Sequence, residues 1–274
     1  MALIETGYFG APSDEREPLT PPLSLLASET LVGMDIASLP LAALPLARAP
    51  KGDGHPVMVL PGMGTSDWST VALRSYLRTR SYRTYGWKMG MNRGPSGDME
   101  DRLRERLARI YDKNGGQKIS LVGWSLGGII AREIAHEEPD LVRQVITLGS
   151  PFGVGAKGEG TTAGPIFNLL NQEHSVSTTV NERRGRLRQA PPVPTTAVYS
   201  ETDGIAGWQA SIQIDGHEET ENIRVPGTHI GLGFNAAVYY VLAERLAQKD
   251  GQWSPFDRRK GARRAVYGRA YPAK

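Results

Sequence analysis

Gly123-Trp124-Ser125-Leu126-Gly127 sets a serine hydroxyl two residues from a glycine on either side. A strand-like apolar run (Ile119, Leu121, Val122) leads into it, and a helix-like run (Ile129, Ile130, Ala131, Ile134, Ala135) leads away. Strand, tight turn and helix in that order make a nucleophile elbow: the glycines let the strand and helix crowd together while the serine backbone is strained and its hydroxyl presented outward. The chemistry on offer is covalent catalysis by Ser125. A neutral hydroxyl is a weak nucleophile, so the elbow calls for a histidine base and a carboxylate to orient it.

Five histidines are available. In a parallel α/β sheet the active groups gather at the carboxyl ends of the strands. His55 precedes the strand at Val57 to Leu60, and His217 precedes the strand expected at Asn222 to Val225, so both fall at the opposite edge. His136 is about three turns down the helix from Ser125 and is carried away from it. His174 sits in an irregular stretch and stays open on this argument. His229 follows the strand ending at Val225, in the loop Pro-Gly-Thr-His-Ile-Gly-Leu-Gly, and is the expected base.

The same rule selects the acid. Thr195 to Ser200 reads as a strand, and Glu201-Thr202-Asp203-Gly204 is the turn at its carboxyl end, so Asp203 is the expected orienting carboxylate with Glu201 as runner-up. Val57 to Leu60 ends in Pro61-Gly62-Met63-Gly64, whose glycines allow close backbone approach to a reacting oxygen. The N–H groups of Met63 and of Leu126 are the expected oxyanion donors.

Taken together, Leu-Pro-Gly-Met-Gly (60 to 64), Gly-Trp-Ser-Leu-Gly-Gly (123 to 128), Tyr-Ser-Glu-Thr-Asp-Gly-Ile (199 to 205) and Gly-Thr-His-Ile-Gly-Leu (227 to 232) resemble the stations of a lipase or esterase of the α/β-hydrolase superfamily. The segments 147 to 153 and 86 to 95 are similar to stretches of small bacterial lipase-like hydrolases, and the resemblance runs from about residue 55 to 248. The order Ser, Asp, His agrees with it. The chain departs at Pro61, where many lipases carry a histidine before the oxyanion glycine. The resemblance implies a serine carboxylester hydrolase working through an acyl-enzyme, with no cofactor and no metal, on a small-molecule, lipid or polyester ester. An acyltransferase or amidase would share these residues, and a non-catalytic binding protein could retain the scaffold. Dehalogenase and epoxide hydrolase variants need a carboxylate nucleophile, which Ser125 is not.

The elements that must position these groups alternate from residue 55: strand 56 to 61, helix 68 to 80, strand 82 to 87, helix 97 to 113, strand 118 to 123, helix 126 to 137 and strand 143 to 149. This predicts an α/β fold with a mostly parallel, doubly wound sheet in one domain spanning 1 to 274. Residues 1 to 50, rich in proline, read as an arm packed on the core with a short helix near Pro22 to Val32. The path from Phe152 to Pro194 is too long for an ordinary connection and is expected to form a small cap over the site. Arg183, Arg184, Arg186 and Arg188 read as a charged helix face in it. Trp124, Phe152, Phe167 and Trp208 are candidate pocket walls that could equally be core.

Composition adds boundaries. The absence of cysteine rules out a disulfide framework and a thiol nucleophile. No metal-ligand cluster or phosphate loop is found. The formal net charge of +3 hides a basic tail: residues 253 to 274 hold seven Lys or Arg against Asp257 alone. That tail is expected to be solvated and partly disordered, with at most weak contact to an anionic surface and no nucleic-acid partner. The first residues lack a basic leader-like start, and no apolar run approaches the roughly 20 residues of a membrane span, so a cytoplasmic location is expected.

Overall fold

The computed structural model describes residues 20–94, 98–153, 161–162 and 185–273. Among these residues, six strands form one all-parallel sheet: β1 (Pro56–Leu60), β2 (Arg83–Gly86), β3 (Ile119–Trp124), β4 (Val142–Leu148), β5 (Thr195–Tyr199) and β6 (Thr220–Arg224), in the order β2-β1-β3-β4-β5-β6. Leu60 lies opposite Gly123, Trp124 opposite Leu148 and Tyr199 opposite Arg224, so the carboxyl ends of β1, β3, β4, β5 and β6 form one edge.

Period-two alternation sends neighbouring side chains to opposite faces, and both faces are buried. Met58, Leu60 and Leu121 face a layer made by α5 (Met99–Lys113) and α6 (Leu126–Glu137). Met99, Leu103, Leu107 and Ile110 supply the apolar stripe of α5. Val57, Val59, Val122 and Ile146 face Leu73 and Leu77 of α4 (Val71–Thr79) and Val238, Val241 and Leu242 of α7 (Ala236–Leu246). This is the doubly wound α/β arrangement expected from the alternating pattern. The helix expected from 68 begins one turn late, because Asp67–Thr70 forms a 3₁₀ turn before α4.

Two expectations need correction. The arm is more helical than its prolines suggest: α1 (Leu23–Ser28), a 3₁₀ turn (Glu29–Leu31), α2 (Val32–Leu41) and α3 (Ala43–Ala47) follow one another. Proline is tolerated in the first turn of a helix, where its missing N–H would have no partner, as at Pro45 in α3.

The basic tail, expected to be solvated, is packed on the protein in part: Tyr267 and Ala273 are buried, while Arg259, Lys260, Arg264 and Arg269 are exposed. Tyr267 is buried against α7 and donates its hydroxyl to the Ala237 carbonyl at 2.9 Å. The Tyr271 N–H donates to Tyr199 Oη at 2.9 Å, and Asn222 Nδ2 to the Tyr271 carbonyl at 3.1 Å. Arg263 stacks on Phe256 and Tyr240. Aromatic residues interleaved with the arginines explain the difference, since they offer apolar area that charge counting ignores.

Most of the expected cap, including Phe167, His174, Arg183 and Arg184, lies outside the described residues. At its flanks, Thr161 pairs with Ala206 and the Thr162 N–H donates to the Ile205 carbonyl at 2.9 Å, beside the β5 turn. Arg186 faces Glu133 and Glu137 at 3.6 Å. Among the described residues no helix is long and apolar enough to cross a membrane.

Tyr267→Ala should therefore lower stability by about 3 kcal/mol in urea denaturation, the cost of removing a buried aromatic. A solvated tail would lose less than about 0.5 kcal/mol.

Candidate active site

Ser125 adopts φ 53° and ψ −122°, a backbone conformation that a side chain disfavours. Packing enforces it. A Cβ on Gly123 would fall 2.3 Å from Gly128 Cα, and one on Gly127 would fall 2.4 Å from the Leu60 carbonyl oxygen. Only glycine lets β3, α6 and β1 meet this closely. The Ser125 N–H donates to the Leu148 carbonyl at 2.8 Å, so the turn stays tied to the neighbouring strand.

His229 Nε2 stands 2.9 Å from Ser125 Oγ, and His229 Nδ1 stands 2.7 Å from Asp203 Oδ2. A carboxylate can only accept, so Nδ1 carries the proton and Nε2 is left as the acceptor for the serine hydroxyl. Asp203 Oδ1 takes the N–H groups of Ile205 (2.9 Å) and Ala206 (2.7 Å), which fixes the carboxylate plane. Asp203 and His229 are both buried. Burial works to lower the His229 pKa, but the charge and hydrogen bond of Asp203, with the charge of Glu29, outweigh it and hold the imidazole above its ordinary value. Glu201, the runner-up acid, pairs instead with Arg224 at 2.9 Å.

The loop after β1 lies beside Ser125: a Cβ on Gly62 would be 3.5 Å from Ser125 Cβ. Among the described residues, no protein acceptor takes the N–H of Met63 or Leu126. Asn92 pins this loop. It is fully buried, its Nδ2 donates to the Pro61 carbonyl at 2.7 Å, and its backbone bonds Gly64 N–H and the Thr65 carbonyl, each at 2.7 Å.

The remaining histidines fall where the edge rule puts them, apart from His174, which is outside the described residues. His217 accepts the Glu219 N–H, and His136 lies 3.2 Å from the Gln189 carbonyl. His55 joins Ser120 Oγ (2.8 Å) and Asp53 Oδ1 (2.5 Å), the same three residue types as the triad. That cluster sits at the amino end of the sheet with Ser120 wholly buried in β3. Burial and the nearby Arg143 charge push the His55 pKa down, so it lacks the basicity of His229, and Ser120 lacks the exposure of Ser125.

Three of the candidate pocket walls are packed into the protein. Trp124 braces the His229 loop, donating Nε1 to the His229 carbonyl at 3.1 Å and meeting Phe234 edge to face. Trp208 stacks on Tyr199. Phe152 lies under the Arg132 guanidinium, 3.8 Å from the ring centre. Arg132 is itself fully buried, its pKa lowered to about 9 by desolvation, and donates to the carbonyls of Leu187 and Gln189. These side chains are core and anchors rather than open walls. Phe167 is outside the described residues. Among the described residues no group of three His, Asp or Glu could hold a metal.

Sequence reasoning missed Glu29 and Asp35, both on the arm and both buried. Glu29 Oε1 accepts the N–H of Gly204 (2.8 Å) and of His229 (2.9 Å), and its Oε2 accepts the N–H of Ile230 (2.9 Å). Asp35 Oδ2 accepts the Thr228 hydroxyl (2.9 Å), and its Oδ1 accepts Asn235 Nδ2 (2.7 Å). A Cβ on Gly204 would fall 2.1 Å from the Leu25 carbonyl oxygen and one on Gly231 2.0 Å from Asp35 Oδ2. The one available signal was charge: Glu29 and Asp35 are the only ionisable residues between Thr20 and Ala47.

Comparison with known proteins agrees with this architecture. A family model described as the alpha/beta hydrolase fold matches residues 60–163. A pimeloyl-[acyl-carrier protein] methyl ester esterase of Aliivibrio salmonicida is 30% identical over 149 residues, 53% of this chain and 55% of that one. A triacylglycerol lipase of Pseudarthrobacter phenanthrenivorans is 28% identical over 106 residues, 35% of this chain and 33% of that one. The chain thus spans about half or less of the length of these curated relatives. The crystal structure of Aspergillus fumigatus lipase B superposes with a TM-score of 0.58 at 17% identity, over 80% of this chain and 57% of that one, and shares the fold. The chain therefore has the α/β-hydrolase fold.

Proposed function

We propose that the protein is a serine carboxylester hydrolase that acylates Ser125. The observation that carries this reading is the continuous hydrogen-bonded line Ser125 Oγ, His229 Nε2, His229 Nδ1, Asp203 Oδ2 at the carboxyl edge of the sheet. In this reading Ser125 Oγ attacks the ester carbonyl carbon as its proton passes to His229 Nε2. Asp203 keeps the imidazole in the productive tautomer and stabilises the imidazolium that forms. The carbonyl oxygen takes up negative charge and is met by the N–H groups of Met63 and Leu126, each such donor worth about 3 kcal/mol. His229 then protonates the departing alcohol, and water attacks the acyl-enzyme by the reverse route. Both curated relatives are named for carboxylic esters, one a methyl ester and the other a triacylglycerol, which supports an ester over an amide.

Hydrolysis of a p-nitrophenyl ester series from acetyl to palmitoyl tests the reading. Wild type should turn over part of the series, and Ser125→Ala should lower kcat by a factor on the order of 10⁵ or more. A well-folded wild type that hydrolyses none of the series would overturn it.

Only the neutral imidazole can take the serine proton, and Asp203 and Glu29 raise its pKa against burial. kcat/KM should therefore fall as pH drops, with its acidic limb above an ordinary histidine's pKa of about 6.5. A limb below that value would contradict the electrostatics described.

Asn92→Ala removes the side-chain tie to Pro61 while leaving the backbone bonds of residue 92 in place. It should reduce kcat about 10- to 100-fold with KM nearly unchanged, because the oxyanion donors act in the transition state. An equal change in KM alone would show that the tie serves substrate binding instead.

A further inference from the structure

Resting on the reading of His229 as the base, we propose that Glu29 is a positioning residue of the triad, a second buried carboxylate that sets the spacing of Asp203 and His229 and adds its charge to theirs. A single atom carries the positioning. Glu29 Oε1 accepts both the N–H of Gly204, the residue after the acid, and the N–H of the base itself, at 2.8 and 2.9 Å. The acid loop and the base loop are therefore bridged by one oxygen, in parallel with the Asp203 to His229 bond. Oε2 takes the next N–H along, that of Ile230, at 2.9 Å.

All the named partners of Glu29 are backbone N–H groups, and among the described residues it forms no ion pair with a side-chain cation. Three donors meeting two oxygens require a carboxylate, because an amide would turn its own N–H₂ toward a donor. They stabilise the charge without cancelling it. The titratable groups facing the His229 loop are Asp203 from the β5 turn, Glu29 from the 3₁₀ turn after α1, and Asp35 from α2, which binds Thr228 one residue earlier. Asp203 and Glu29 favour the imidazolium that forms during acylation.

The test separates this role from the ester chemistry. In Ser125→Ala protein, the downfield proton signal of His229 Nδ1–H is followed against pH with and without Glu29→Gln. Its midpoint should move to lower pH in the double variant, and a midpoint equal to that of Ser125→Ala overturns the proposal. In the Ser125 background, Glu29→Gln should lower kcat on p-nitrophenyl esters about 10- to 100-fold with KM within about threefold, the signature of misplacement rather than lost binding. A kcat within about threefold of wild type also overturns it.

Should Glu29→Gln fail to fold, Glu29→Asp keeps the charge but shortens the reach. A lowered kcat with an unshifted midpoint then supports the bridge, and an unchanged kcat refutes it. An inactive wild type would sink the ester reading, while the midpoint alone would still decide the role of Glu29.

Discussion

Holding Ser125 at a positive φ costs on the order of 1–3 kcal/mol, and the contacts around it must make that conformation the least bad one available. They do so by crowding. β3 enters the turn with both faces buried, α6 leaves it packed on the same sheet, and the backbones of Gly123, Gly127 and Gly128 occupy space that any side chain would need. Because the sheet is parallel and in register, the loops after β1, β5 and β6 end at the same edge as this turn. The proposed oxyanion loop, acid and base are gathered where the strained serine stands.

Each of those loops is then fixed by a partner distant in sequence. Asn92 ties the loop at 61–65. Trp124, the serine's own neighbour, holds the His229 carbonyl. Glu29 and Asp35 hold the backbone of the acid and base loops from the other side. The arm is a wedge between the 203–206 and 228–231 loops, which gives its buried charges a reason to exist: isolated carboxylates are costly to bury unless N–H groups meet them. The same physics distinguishes the two serine–histidine–aspartate clusters. Around His229 the charges are negative and raise its basicity, whereas at His55 burial and Arg143 lower it.

Much of this could be read in the sequence. Local patterns announce local structure, and the elbow, the alternation of strands and helices and the edge rule place Ser125, Asp203 and His229 without reference to any neighbour. What could not be read are pairings across long stretches of chain. Glu29 meets Gly204 and His229 across some 175 and 200 residues, and nothing in a proline-rich arm says which loop it will touch. The aromatic candidates are undecided in sequence for a related reason. A tryptophan beside the nucleophile can face a ligand or a loop, and only the fold shows that Trp124 turns to the His229 carbonyl. In the tail, seven charges hide Tyr267 and Tyr271 between them, and these pack onto the protein while most of the charges stay exposed.

The central claim is that the geometry at Ser125 makes this one hydroxyl a nucleophile. The most direct measurement is covalent trapping with a fluorophosphonate followed by peptide mass analysis. The account predicts a single adduct on Ser125, absent in Ser125→Ala and slowed by orders of magnitude in His229→Ala. No adduct on folded wild type, or an adduct at another serine with Ser125 unmodified, would contradict it.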